Sequence, residues 1–119
     1  MKIVISTEGV FAASRLKDRI ISTVKGEIKE MRIDTWTYIK ANDGYDVLFH
    51  NPEQYSDDPS KNVLFRVVLD GENIIFSCAY WAQNPPPVYS MYCLHVGRLT
   101  EMLLTYFSKE FSKFTINGF

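Results

Sequence analysis

The chain has 119 residues, 46% hydrophobic and 14% aromatic, enough to fill one core, and its 23% charged fraction excludes a disordered chain. No apolar run approaches the roughly 20 residues that span a bilayer; the runs are short, such as Val63–Phe65 and Val67–Leu69. The net charge of −1 hides an asymmetry: six bases outnumber three acids from Arg15 to Arg32, and eight acids outnumber three bases from Asp34 to Glu72. Fields of this kind act on encounter with partners rather than on the fold.

The opening residues, MKIVISTEGVFAAS, alternate Ile3 and Ile5 against Lys2 and Val4. Glu8 breaks the apolar run too early for a signal peptide, so the stretch reads as the first strand of a cytoplasmic protein. From Val10 to Lys29 the apolar positions Ala13, Leu16, Ile20, Val24 and Ile28 recur every three or four residues. This is one apolar stripe on a helix, with Ser6 or Thr7 as its cap and Gly26 weakening its last turn.

Residues 31–41 switch to a period of two, with Trp36 and Tyr38 on one face and Ile33 and Ile39 on the other. The β-branched and aromatic content predicts a strand. Asn42-Asp43-Gly44 turns the chain into a returning strand over Tyr45–Phe49. A polar loop, HNPEQYSDDPSKN, fills 50–62. Strands over Val63–Leu69 and Asn73–Trp81 follow, joined at Asp70-Gly71. The run Asn84-Pro85-Pro86-Pro87 is then held extended, because each residue before a proline is pushed out of the α region. It stops the sheet and spaces the next helix, which begins near Pro87 or Ser90. The stripe Tyr92, Val96, Leu99, Met102, Leu103, Tyr106 and Phe107 carries that helix to about Phe111.

The expected architecture is a single α+β domain over residues 1–119, in the order β-α-β-β-β-β-α. A mostly antiparallel sheet carries both helices on one face and leaves the other open to water or a partner.

Signatures of catalysis are absent. No glycine-rich phosphate loop and no nucleophile elbow occur. His50 with Glu53, Asp57 and Asp58 has the chemistry of a metal site, but the spacing matches no ligand motif, and no metal or cofactor is expected. Cys93 and His95 stand two apart on a helix, about 200° around its axis, and do not act together. Cys78 and Cys93 read as free, buried thiols. Trp36 and Tyr38 suit base stacking, yet the acids around them oppose a phosphate backbone, which argues against nucleic acid.

The reading that remains is a protein-binding module rather than an enzyme. Its acidic, aromatic surface suits capture of a basic protein, in the manner of an immunity protein that inhibits a nuclease toxin. The expected contact residues are Asp34, Trp36, Tyr38, Glu53, Tyr55, Asp57 and Asp58. The alternative is a small ligand-binding domain or enzyme with a pocket under the 50–62 loop, drawing on His50, Glu53, Tyr55 and Asp57.

Overall fold

The computed structural model describes residues 1–50 and 62–118. The first strand, β1 (Lys2–Ser6), is followed by helix α1 (Ala13–Val24) and strands β2 (Trp36–Lys40), β3 (Asp46–His50), β4 (Leu64–Asp70) and β5 (Asn73–Ala79). Helix α2 (Tyr89–Phe107) comes next. The fold is α+β, and its element order through α2 is the one the sequence predicts. The chain then adds a 3-10 turn (Ser108–Glu110) and a sixth strand, β6 (Lys113–Asn117).

The six strands form one open sheet in the order β2-β3-β4-β5-β1-β6, every pair antiparallel. β4 and β5 pair over seven residues, closed by Gly71 at φ +61°, a left-handed backbone that glycine adopts without a steric penalty. Residues opposite one another share a face. Ile3 lies opposite Phe76, Ile5 opposite Ile74, Val67 opposite Phe76 and Leu48 opposite Phe65. All are buried, and the helices cover them with Leu16, Ile20, Leu99, Leu103 and Phe107.

Both helices end earlier than the sequence predicts, α1 at Val24 and α2 at Phe107. α1 ends at Val24 because Gly26 takes φ +78° and turns the backbone out of the helix. Its N-cap is Ala12, with no side-chain cap bond. Thr7 is engaged elsewhere: its carbonyl accepts from Val10 and Phe11, and its hydroxyl donates to the Glu72 carbonyl at 3.2 Å. α2 starts at Tyr89 with Val88 as N-cap, so Pro87 lies ahead of the first turn and Ser90 lies within it rather than capping it. Pro87 is buried ahead of the helix while Pro85 and Pro86 are exposed. The Asn84 N–H donates to the Trp81 carbonyl at 2.9 Å, closing a turn before the prolines. The proline run is thus the return path from β5 to α2. Among the described residues no helix is long and apolar enough to cross a membrane.

Candidate functional site

The register decides where the expected contact residues lie. Trp36 pairs with His50 and Tyr38 with Leu48, which puts both aromatics on the face that the helices cover. Trp36 is 3% exposed, with ring contacts to His50 (5.4 Å) and Phe65 (5.9 Å). Of the two placements that the sequence leaves open for Trp36 and Tyr38, outward anchor or core, the inward one holds: alternate residues of a strand share one face, and here Trp36 is buried in the core with Tyr38 half-buried beside it. Asp34 is exposed, at the mouth of a cleft with Lys25 and Arg32. Glu53, Tyr55, Asp57 and Asp58 lie outside the described residues. So does most of the alternative pocket; its His50 is half-buried on β3.

Asp46 is the residue that the sequence reading passes over. It shares a face with Leu48, so β3 carries a carboxylate beneath α1, and it is 9% exposed. Lys17 Nζ of α1 donates to Oδ2 at 2.5 Å. The Tyr38 hydroxyl donates to Oδ1 at 2.6 Å and Lys40 Nζ donates to Oδ1 at 3.2 Å. Burial by itself pushes the Asp46 carboxyl up; hydrogen bonds from Lys17, Tyr38 and Lys40 outweigh it and hold the group down at about 2. The same Tyr38–Asp46 bond, helped by burial, pushes the Tyr38 hydroxyl up to about 12. Neither group is poised to exchange a proton near neutral pH, so the cluster clamps α1, β2 and β3 together. A strand acid in phase with a buried leucine is the sequence signal for it.

The clamp makes a pH prediction. A carboxyl whose pKa is lowered on folding contributes stability that is present above its unfolded value near 4 and lost as pH falls toward the folded value. Asp46→Asn is expected to cost about 2–3 kcal/mol at pH 7. The gap between wild type and variant should shrink between about pH 4 and pH 2. Urea melts of both proteins at pH 7 and pH 2.5 check this; an unchanged gap would show that Asp46 is not held ionised.

The helix-free face carries a different set of aromatics. Val47 lies opposite Arg66, and Phe49 lies opposite Leu64, which faces Ala79. The chain after β5 brings Trp81 back onto this side, 6.5 Å from the Phe49 ring. Trp81, Val47 and Leu64 line a cleft of about 320 Å³ that Asp43 and Arg66 close at the other end. The Arg66 guanidinium sits 4.8 Å from the centre of the Tyr45 ring, and its Nη2 is 3.5 Å from Asp43 Oδ2. Arginine and aromatic side chains on one open surface are the residue types that anchor protein interfaces.

Acids rim this face at one end. The β2–β3 and β4–β5 turns lie at the same end of the sheet, since Lys40 pairs with Asp46, Asp46 with Val67 and Asp70 with Asn73. Asp70 and Glu72 are exposed and make no ion pair among the described residues. The sequence signal for this surface is the aromatic Tyr80-Trp81 directly before a turn, where a side chain can fold back over the sheet. No family model, no curated protein and no solved structure matches this chain.

Proposed function

We propose that this chain is a protein-binding module that captures a basic protein on its helix-free sheet face, as an immunity-type inhibitor would. The observation that carries the reading is the Trp81–Phe49–Tyr45–Arg66 surface beside the exposed acids Asp70 and Glu72 at the turn end. Apolar and aromatic groups on an open face supply the anchor, and desolvating them on docking gives affinity. Asp70 and Glu72 supply long-range attraction, which speeds encounter and is screened over about 8–10 Å at physiological salt. Glu53, Asp57 and Asp58 add to the charge of the same sequence segment. A surface so acidic disfavours nucleic acid. We read the setting as cytoplasmic, since Cys78 and Cys93 are both free thiols.

The test is capture on the immobilised chain at low salt, identification of any stoichiometric protein, and binding kinetics with that protein. A basic partner is expected. Replacing Asp70 by Asn and Glu72 by Gln should slow association and flatten its salt dependence. Trp81→Ala should raise the dissociation rate by about 10–30-fold, the scale of an interface anchor. A partner whose association ignores the acids and whose dissociation ignores Trp81 would sink the reading.

A further inference from the structure

The sheet has two edges, β2 and β6, and they are not alike. The 24–34 segment flanks β2 and, with Trp36, Thr37 and Tyr38, walls a cleft of about 500 Å³. Along β6, Lys113, Thr115, Ile116 and Asn117 are all exposed. β6 stays in register with β1 from Lys113 to Asn117, and no proline interrupts its rim over those five residues.

The hydrogen-bond phase of that rim can be read from β1. The Cys78 N–H donates to the Met1 carbonyl at 3.0 Å, and the Thr7 N–H donates to the Glu72 carbonyl at 2.9 Å. In an antiparallel ladder the N–H and C=O of a residue point to the same side, and the side alternates along the strand. Odd-numbered residues of β1 therefore turn their backbone toward β5, while Lys2, Val4 and Ser6 turn theirs toward β6. Their partners there are Asn117, Thr115 and Lys113. It follows that Phe114 and Ile116 aim their N–H and C=O groups outward, where no strand among the described residues meets them.

We propose that β6 pairs antiparallel with β6 of a second copy, about a two-fold axis through Thr115. This register sets Phe114 opposite Ile116 on both sides of the axis, and their outward groups make four backbone hydrogen bonds. Thr115 meets its own counterpart in a pair without hydrogen bonds, where side chains come closest. Lys113 meets Asn117, so no like charges oppose each other. Aromatic with β-branched and threonine with threonine are favourable cross-strand pairs. A two-fold contact requires such self-complementarity, and KFTIN supplies it. α2 packs over β1, the neighbour of β6. Five strand residues bury less than the roughly 800 Å² per partner of a tight complex, so the dimer forms with a Kd on the order of 10–100 μM. It joins two sheets edge to edge and presents two helix-free faces, and it does not depend on the basic partner proposed above.

Sedimentation equilibrium over concentrations of about 5–500 μM tests the pairing. The wild-type mass should rise from 13.8 kDa toward twice that value. Thr115→Lys sets two cations together at the axis and Thr115→Glu sets two anions there, so each variant should stay monomeric. An equimolar mixture of the two should recover the dimer, because lysine then faces glutamate. Thr115 is exposed, and both variants should melt with wild-type cooperativity by circular dichroism. Wild type that stays monomeric throughout, variants that dimerise as wild type does, or a mixture that stays monomeric would each overturn the proposal.

Discussion

Trp36→Ala is expected to destabilise the protein by about 3–5 kcal/mol, the scale of a large aromatic deleted from a packed core. The indole is 3% exposed between Phe65 and His50, so its removal leaves a cavity under α1 rather than a patch of wetted surface. A domain of this size has about 5–15 kcal/mol in all, and the variant should melt at much lower denaturant with an unchanged slope. The protein has two tryptophans, and Trp81 is the more exposed. Emission from a Trp81→Phe variant should therefore be blue-shifted, since the buried Trp36 then reports alone. A loss under about 1 kcal/mol for Trp36→Ala, or red-shifted emission from Trp81→Phe, would place the indole on the surface.

The second large effect is expected in α2. Leu103 is fully buried, and its replacement by alanine should cost about 2–5 kcal/mol through lost burial and the cavity left behind. Its neighbour Leu104 is 46% exposed, and the same replacement there should change stability by no more than about 0.5 kcal/mol. Adjacent positions on a helix differ by about 100°, so this pair measures the phase of α2 directly. Denaturant melts of the two variants, compared at equal slope, give the contrast. Equal losses would mean that the helix is turned from its observed packing.

The stabilising roles of Trp36 and Asp46 have a common cause. Both project from the β2–β3 hairpin toward α1, one as apolar filling and one as a charge held by Lys17, Tyr38 and Lys40. The hairpin is thereby fixed to the helix by packing near His50 and by an ionic clamp at the other end of the strands. The helix-free side of the same hairpin is left for Phe49 and Tyr45, whose neighbours are Trp81 and Arg66.

Local patterning by itself determined the α+β class, the two apolar helix faces, the strands of the β4–β5 hairpin and the break at the proline run. Each of these depends on near neighbours: a period of 3.6 or 2, a glycine with positive φ, a proline that fixes its own backbone. Period two showed that Trp36 and Tyr38 share a face, but not which face, because a strand cannot tell its two sides apart until a helix covers one. Only the tertiary structure chose the core side for them, and so moved the candidate surface to Phe49, Trp81, Tyr45 and Arg66. It also made Asp46 a clamp, since Lys17 lies 29 residues away in sequence. β6 was settled in the same way. The sequence reading passes over KFTIN, and it becomes a strand because β1, more than a hundred residues earlier, offers it an edge to pair with.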